Sequence, residues 1–335
     1  MPSRRRLTLN VSLEALPLSA PFVITGYTFT EVPVIVARVD DGQAAGEGEA
    51  AGVYYLQDGI AQMTAAIESV RAEIEEGADR AALRRLLPPC GARNALDCAL
   101  WDLDAKRSGR PAWRLAGLQP PHPLTTTFTI GAGDPGIMAG KAVGYAQARA
   151  LKLKLTGEAA LDADRVRAVR KARPEVWLGV DANQGFTPAS LSELMPTLVA
   201  SDVRLVEQPF ARGREAQLDG FDSPIPVAAD ESVQGFSDIE ALVGRFDVVN
   251  IKLDKCGGLT EGLAMAAEAR RLGLDVMVGN MVGTSLAMAP AFLLGQLCDI
   301  VDLDGPIFIT RDRTPAISYD QGFVLYPEEG WGSAA

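Results

Sequence analysis

The sequence predicts an α/β protein, a modified TIM-type (β/α)7β barrel with an N-terminal α+β capping domain. Two observations favour this architecture. Eight short apolar segments alternate with helical patterns at a repeat of about 25 residues, which suits one βα unit. Polar residues recur at the carboxyl ends of these strands, and in a closed barrel those ends meet at one mouth. An open doubly wound sheet is the alternative, and it would spread the same residues along an edge.

The capping domain is predicted from the first part of the chain. Residues 6–40 alternate apolar and polar positions and end at the Asp-Asp-Gly turn of 40–42, which indicates a hairpin or meander. From about Asp58 the pattern becomes helical, and its last segment ends at Gly109. We therefore expect an α+β capping domain over residues 1–118.

The barrel is predicted to begin at a proline-rich seam, residues 119–123. The catalytic barrel domain then covers residues 119–310, and residues 311–335 are expected to pack back on the capping domain. The predicted strands, which alternate with helices, are PLTTTFTI, LKLKL, VWLGVD, VRLVE, PVAAD, DVVNIK, VMVG and DIVDLD.

One motif after the first barrel strand resembles a site for a dinucleotide cofactor. Residues 131–136 match the dinucleotide-binding pattern GxGxxG. Asp134-Pro135 is better explained as the N-cap and first residue of a helix. No acidic strand end follows at the distance that a dinucleotide site requires, so we do not expect NAD binding.

The composition favours a globular protein with a small-molecule partner. The chain has 335 residues, 47% of them hydrophobic, and a net charge of −11, so we expect neither nucleic acid nor a membrane as partner. The four cysteines lack zinc-finger spacing, and the N-terminus lacks the apolar run of a signal peptide, which favours a cytoplasmic protein. The composition is compatible with a homo-oligomer. The only histidine, His122, lies in a Pro-His-Pro turn, so carboxylates and lysines must do the chemistry.

Three acids predict a metal site. Asp181, Glu207 and Asp230 end three successive predicted strands, in VDAN, VEQP and ADES. A barrel would place their carboxylates side by side, where they would repel one another without a cation. Oxygen ligands in this number suit Mg²⁺, with Mn²⁺ as the alternative. Any one of these acids alone is more often a helix N-cap or an ion-pair partner.

Lysines lie on strands to both sides of these acids. Lys152 and Lys154 precede them and Lys252 follows them, although a lysine in an apolar strand is costly to bury. Desolvation and a neighbouring cation would lower the pKa of a lysine, so that one lysine can act as base and a protonated partner as acid. Two such groups on opposite faces of a planar intermediate would give epimerisation. Either Lys152 or Lys154 could instead be a salt-bridged strand end.

The motif order KLKL, VDAN, VEQP, ADES, NIKLDKCGG and DLDGP resembles the muconate-lactonising subgroup of the enolase superfamily, and within it the dipeptide epimerases. The resemblance covers nearly the whole chain. It implies a metal-dependent isomerase that inverts the α-carbon of the C-terminal residue of an L-Ala-Xaa-type dipeptide through a Mg-stabilised enediolate. It also implies that Lys154 and Lys252 are the two catalytic bases, that Lys152 assists Lys154, and that Asn183 and Glu231 orient the metal ligands.

The same resemblance implies a substrate-binding role for Asp302 and Asp304, which would hold the α-ammonium group of the dipeptide. A strand terminus before the turn at Gly305 explains these two acids equally well. In the members that act on Ala-Glu, an arginine in the first capping-domain loop binds the Glu side chain.

The corresponding loop here, residues 24–30, contains no cation. We therefore predict an apolar or uncharged C-terminal side chain, with Tyr27 or Phe29 near it. Residues 279–285 also depart from the pattern of the family, so the part of the specificity that depends on them is open.

Two other functions remain open at this point. On the same scaffold, a lyase such as o-succinylbenzoate synthase or a cycloisomerase would use Lys154 as base and Lys252 to stabilise the enolate. A non-enzymatic binding protein that retains the barrel is the second. The pair Asp302 and Asp304 argues against the lyase, and the complete set of lysines and carboxylates argues against a binding protein.

Overall fold

The computed structural model describes residues 6–24 and 26–334. Its N-terminal region contains an antiparallel sheet of β1 (Thr8–Ile24), β2 (Tyr27–Asp40) and β3 (Ala45–Ala50). Five helices follow: α1 (Ile60–Ser69), α2 (Arg71–Glu75), α3 (Arg80–Leu86), α4 (Gly91–Ser108) and α5 (Ala112–Leu115). The predicted meander and the helices after it are therefore confirmed. Met1 to Arg5 of the N-terminal segment and Thr25 of the 24–30 loop lie outside the described residues.

Helix α4 is the centre of the capping region because the sheet lies directly against it. A Cβ atom at Gly46 of β3 would lie 2.1 Å from the carbonyl oxygen of Ala99, and one at Gly48 would lie 2.2 Å from that of Ala95. Only glycine permits this approach, so β3 packs directly against the backbone of α4. The helix ends at Gly109, as the sequence predicted, and this C-cap glycine adopts a φ of 60°.

Eight parallel strands form the nearly closed barrel that the sequence predicted. They pair in chain order, and they are β5 (Thr127–Ile130), β6 (Ala150–Lys154), β7 (Trp177–Asp181), β8 (Val203–Glu207), β9 (Val227–Ala229), β10 (Val248–Ile251), β11 (Asp275–Val278) and β12 (Ile300–Val301). The predicted segment PLTTTFTI is divided, since its first part forms the separate strand β4 (Leu124–Thr125). The last strand is shorter than predicted, and the Asp302-Leu303-Asp304 segment follows it.

The first and last barrel strands, β5 and β12, meet at a seam. Among the described residues no backbone ladder joins these two strands, and side-chain hydrogen bonds connect them instead. The hydroxyl of Thr127 donates to a carboxylate oxygen of Asp302. The Thr129 amide donates to Oδ2 of Asp304 at 2.6 Å, and the Leu303 amide donates to Oγ1 of Thr126 at 2.9 Å. The two aspartates thus help to close the barrel.

The helices around the barrel are less regular than predicted. The α-helices are α6 (Pro135–Gly144), α7 (Ala159–Ala172), α8 (Pro188–Ala200), α9 (Leu253–Cys256), α10 (Leu259–Arg271) and α11 (Ser285–Gly295). After β8 and β9 the chain forms only the 3-10 segments Glu215–Leu218 and Phe236–Leu242. The expectation of a helix after every strand is wrong there. Glycine and aspartate recur in both connections, and proline in the first, and these residues disfavour a continuous helix. Asp134 caps α6 as predicted, by accepting from the Gly136 amide at 2.8 Å.

The C-terminal segment contacts both parts of the molecule. Its hairpin, β13 (Ser318–Asp320) and β14 (Phe323–Leu325), pairs with β4. The Trp331 indole donates to the carbonyl of Cys98 in α4 at 3.0 Å. Across residues 6–24 and 26–334, none of the helices combines the length and the apolar character that crossing a membrane requires.

Candidate active site

A cavity of about 260 Å³ lies between the barrel mouth and the capping region. From the barrel, Lys152, Lys154 and Lys252 line it, together with carboxylates. From the capping region, Tyr54 and Tyr55 face the same space. Most of the strand ends that the sequence singled out therefore share one cavity, whereas Asp181 and Glu207 do not line it.

The three predicted metal ligands lie together in the barrel mouth. One carboxylate oxygen each of Asp181, Glu207 and Asp230 lies within 4.8 Å of the other two, and all three side chains are buried. Strand register produces this arrangement, because Lys154 of β6 pairs with Asp181 of β7, and Asp181 pairs with Glu207 of β8. Parallel pairing places these residues in one row across the sheet.

The electrostatics of this cluster fit a cation. Burial and the charge of Asp181 raise the pKa of Glu207 to about 7. Burial and the charge of Asp230 raise the pKa of Glu231 to about 8. Buried oxygens that have no hydrogen-bond partner among the described residues also lie in this region, on Asn183 and on Glu231. Hard oxygen ligands with unneutralised charge can hold a divalent metal ion.

Lys154 and Lys252 lie on opposite walls of the barrel, because β6 and the carboxyl end of β10 are four strands apart in an eight-stranded ring. The Lys154 ammonium donates to Oδ2 of Asp181 at 2.5 Å, and that of Lys252 donates to Oδ2 of Asp230 at 2.7 Å. Burial by itself would lower the pKa of Lys252, but the Asp230 carboxylate outweighs it and raises the pKa well above the ordinary value. The lowering of the pKa that the sequence predicted depends on a neighbouring cation, so it stays a prediction for this lysine.

Lys152 is held by carboxylates on both sides. Its ammonium is ion-paired with Asp302 and donates to Oε2 of Glu207 at 3.3 Å. Burial would lower the pKa of Lys152, but these carboxylates raise it above its ordinary value. The side chain is thus a permanent positive charge next to the metal ligands.

The two residues predicted to orient the ligands lie beside them. The Asn183 amide N–H of the backbone donates to Oδ1 of Asp181 at 2.8 Å, and this residue adopts a φ of 42°. The side-chain amide of Asn183 also donates to Glu231 at 3.4 Å. Asn183 therefore holds Asp181 through its backbone and Glu231 through its side chain.

Asp302 and Asp304 differ in their surroundings, although both line the cavity. Asp302 is paired with Lys152 and accepts from Thr127. Burial and the charge of Asp302 raise the pKa of Asp304 to about 6, which indicates a carboxylate that lacks a nearby cation of its own. Asp304 is thus the better placed of the two to accept an incoming cation.

Aromatic side chains of the capping region form one wall of the cavity. We call Tyr27, Phe29, Tyr54 and Tyr55 the aromatic wall. Ring centroids of Tyr54 lie 4.5 Å from Tyr27 and 5.3 Å from Phe29, and Tyr55 lies 5.2 Å from Tyr54. Tyr27 and Phe29 were predicted near the substrate, and Phe29 lines the cavity, whereas Tyr27 is 45% exposed and supports the wall from outside.

Tyr54 and Tyr55 were missed by sequence reasoning. They lie on a single 3-10 turn, Tyr54–Leu56, so they produce no periodic pattern. The adjacent tyrosines in GVYYLQDG were the only available signal.

Two polar residues that support the metal ligands were also missed. Lys255 donates to the side chain of Asp230 at 2.6 Å and to its carbonyl at 2.5 Å. Gln208 accepts from the Asp230 amide at 2.9 Å. Both belong to the motifs NIKLDK and VEQP, so their position beside recognised residues was the available signal.

The loop that follows β11 lies close to Lys252, which follows β10. A Cβ atom at Gly279 would lie 2.6 Å from Oδ1 of Asn250 and 2.9 Å from Cε of Lys252, so a larger residue here would displace one of these side chains. The side chain of Asn280 then donates to the carbonyl of Asp302 at 2.5 Å. Met281 and the next residue line the cavity beside the two aspartates.

Comparison with known proteins places this geometry in a family. Residues 6–117 match the mandelate racemase / muconate lactonizing enzyme N-terminal domain, and residues 138–333 match the enolase C-terminal domain-like family. The chain is 39% identical to the L-Ala-D/L-Glu epimerase of Escherichia coli (strain K12) over 94% of this chain and 98% of that protein. It is 41% identical to an N-acetyl-D-glutamate racemase of a Pseudoalteromonas species over 74% of this chain and 78% of the relative.

A solved structure is similar over the same extent. It is an enolase family member from Agrobacterium tumefaciens with homology to dipeptide epimerases, and it holds sodium and L-Ala-L-Glu. The two chains share 40% identity and a TM-score of 0.93 over 96% of this chain and 98% of that one. This chain therefore belongs to the mandelate racemase and muconate lactonizing enzyme family of the enolase superfamily, as an isomerase of its dipeptide epimerase branch.

Proposed function

We propose that this enzyme inverts the α-carbon of the C-terminal residue of an L-Ala-Xaa-type dipeptide whose Xaa side chain is apolar or uncharged, with Lys154 and Lys252 as the two proton-transfer groups. The observation that carries the proposal is the position of these lysines on opposite walls of one cavity, each next to a carboxylate. A substrate α-carbon between them would present one face to each ammonium.

The proton transfer follows from this arrangement. In one direction, neutral Lys154 takes the α-proton as the Cα–H bond breaks, and protonated Lys252 delivers a proton to the opposite face of the planar carbanion. In the reverse direction the two lysines exchange roles. The hydrogen-bonded carboxylates orient both side chains, and both lysines are buried, which would limit the access of water to the carbanion.

Asp181, Glu207 and Asp230 would hold Mg²⁺, and Mn²⁺ would suit the same oxygen ligands. When bound, such an ion supplies positive charge beside the substrate carboxylate and so lowers the free energy of the doubly charged state that forms when the α-proton leaves. Lys152 adds a fixed positive charge at the same place, and Lys255 holds Asp230 in position.

The aromatic wall supports an apolar or uncharged side chain. The side of the cavity that the capping region contributes is lined mainly by apolar and aromatic residues, which include Phe29, Val32 and Tyr54. Within the described residues, the only cationic side chains that line the cavity are the three lysines of the barrel mouth. A glutamate side chain would be buried here without a partner, which costs several kcal/mol. The named relatives that act on glutamyl compounds therefore differ from this proposal in side-chain preference.

Asp304 supports a dipeptide over an acylated amino acid. A dipeptide carries an α-ammonium group, and Asp304 offers it a buried carboxylate that no lysine occupies. The second candidate is racemisation of an N-acylamino acid, which the similarity to N-acetyl-D-glutamate racemase favours. That substrate has no cation to place against Asp304.

Proton exchange in D₂O distinguishes these functions. The metal-loaded enzyme would be incubated with L-Ala-L-Phe, L-Ala-L-Leu, L-Ala-L-Ala, L-Ala-L-Glu and N-acetylated Phe and Glu, and loss of the α-proton signal followed by NMR. We expect the fastest exchange with Ala-Phe or Ala-Leu, and essentially none with the N-acetyl compounds. A clear preference for Ala-Glu would overturn the side-chain proposal, and a preference for N-acetyl compounds would establish the second candidate.

The Asp304→Asn variant provides the matched test of the ammonium site. It should raise KM for the dipeptides by about 10- to 100-fold, because an ion pair with the substrate becomes a neutral hydrogen bond. Asp299→Asn, a change at the same strand but at its amino end, is the control and should leave KM unchanged. Equal effects of both variants would contradict the assignment.

A further inference from the structure

Asp254 joins the capping region to the strand end that carries Lys252. It lies in the one-turn helix α9, two residues after that lysine, and its side chain is buried. Oδ1 of Asp254 accepts from the backbone amides of Ala51 at 2.9 Å and Gly52 at 3.1 Å. These amides lie just beyond β3, where the chain leaves the sheet and its N–H groups have no ladder partner.

The segment held by Asp254 leads directly into the aromatic wall. Gly52 adopts a φ of 69°, and a Cβ atom there would lie 1.9 Å from the carbonyl oxygen of Asp58, so the turn is tight and needs glycine. The 3-10 turn that begins at Tyr54 follows after one residue. Tyr54 and Tyr55 then face the same cavity as Lys252. The path from Asp254 to the wall is therefore short and stiff.

We propose that Asp254 is a positioning residue that fixes the distance between the aromatic wall and Lys252, and thereby sets how large a C-terminal side chain the cavity accepts. The inference rests on the proposed dipeptide function. One turn of chain, Lys252 to Lys255, then has three tasks: Lys252 transfers the proton, Asp254 holds the wall, and Lys255 holds the metal ligand Asp230.

A second buried aspartate offers a matched control. Asp97 of α4 accepts from the amide of Thr260 at 2.9 Å and from its hydroxyl at 2.6 Å. It also joins the capping region to the barrel, but it does not line the cavity or hold the aromatic wall. Removing either tether should affect stability, whereas only the Asp254 tether should affect selection by size.

The experiment compares Asp254→Ala with Asp97→Ala. KM and kcat for α-proton exchange would be measured with L-Ala-L-Phe and with L-Ala-L-Ala. We expect Asp254→Ala to raise the ratio of KM for Ala-Phe to KM for Ala-Ala about tenfold, because two hydrogen bonds that fix the wall are lost. The value of kcat with Ala-Ala should change little. Asp97→Ala should leave the ratio as in the parent. An equal ratio in both variants, or a uniform loss of kcat, would overturn the inference.

If Asp254→Ala does not fold, the comparison is made between Asp254→Asn and Asp97→Asn. The neutral amide oxygen is a weaker acceptor than a carboxylate oxygen, so the hydrogen bonds are weakened and not removed. A raised KM ratio in Asp254→Asn alone supports the inference, and an unchanged ratio overturns it.

Hydrogen–deuterium exchange gives a readout that needs no substrate. Amides of residues 51–56 should exchange faster in the Asp254 variant than in the Asp97 variant, and identical exchange would overturn the inference. A parent enzyme that exchanges no dipeptide proton would count against the proposed function alone, since the exchange of these amides would still decide whether Asp254 holds the wall.

Discussion

The barrel mouth and the aromatic wall face the same cavity, but they are held in different ways. In the mouth, strand pairing places Lys154, Asp181 and Glu207 in one row. The wall comes from a strand and a 3-10 turn of the capping region. The Asp254 carboxylate joins this part to the barrel by accepting hydrogen bonds from the amides of Ala51 and Gly52, just before the turn. The difference teaches that the proposed catalytic residues are positioned by the hydrogen-bonded strands of the barrel. The residues proposed to contact the substrate side chain lie outside those strands and can change without disturbing them.

The comparison would break if a lysine of the mouth were dispensable. Lys252→Ala and Lys154→Ala should each lower the rate of epimerisation by about 10²- to 10⁴-fold, because one face of the carbanion loses its proton donor. Each variant should still exchange the α-proton of one diastereomer through the remaining lysine. Chiral chromatography and NMR in D₂O would measure both rates.

Lys171→Ala, on the outer surface of α7, is the control and should behave like the parent enzyme. Epimerisation at the parent rate in either site variant would exclude the two-lysine mechanism.

A second prediction for the barrel mouth concerns metal binding by its three carboxylates. Glu207→Gln should weaken Mg²⁺ binding about 100-fold or more in isothermal titration calorimetry, because an anionic ligand is lost from a cluster of three. The exposed Glu193 of α8, changed to Gln, should leave the affinity unchanged. Equal affinities in all three proteins would mean that the carboxylate cluster does not hold the ion.

A change in the wall should have a smaller and more selective effect. Tyr54→Ala removes ring contacts with Tyr27 and Phe29, so KM for L-Ala-L-Phe should rise about tenfold while kcat with L-Ala-L-Ala changes little. Steady-state kinetics with both dipeptides would measure this. A large loss of kcat with Ala-Ala would show that the aromatic wall takes part in catalysis and not only in the selection of the side chain.

The smallest effect on catalysis is expected at Asp97, where only stability should change. Burial raises the pKa of Asp97 to about 6, above that of an unfolded aspartate, so the folded state loses stability as pH rises from about 4 to about 6. Asp97→Asn cannot titrate, so its free energy of unfolding should lack this loss, and the difference between variant and parent should move in favour of the variant by about 1–3 kcal/mol between pH 3.5 and pH 8. Urea unfolding at both pH values, with Asp164→Asn as an exposed control, would measure it.

The sequence predicted the barrel mouth well because each strand end carries its motif, and register converts spacing into proximity. It did not reveal that Lys152 pairs with Asp302, since a contact between the second and last strands of a barrel leaves no local pattern. Tyr54 was missed for a related reason, because a single 3-10 turn has no period. The sequence also predicted helices after β8 and β9, where the chain forms only 3-10 segments. The preferred side chain stays a prediction.

The seam of the barrel constrains how this enzyme could acquire another substrate. Asp304 is proposed to receive the ammonium of the dipeptide, yet its other hydrogen bond joins the first and last strands, as does that of Asp302. A descendant that adopted N-acylamino acids, whose nitrogen carries no charge, would gain nothing from these acids in binding, but losing them would loosen the closure of the ring. Evolution toward such substrates is therefore expected to retain the two aspartates, or to replace them only after another contact has closed the seam.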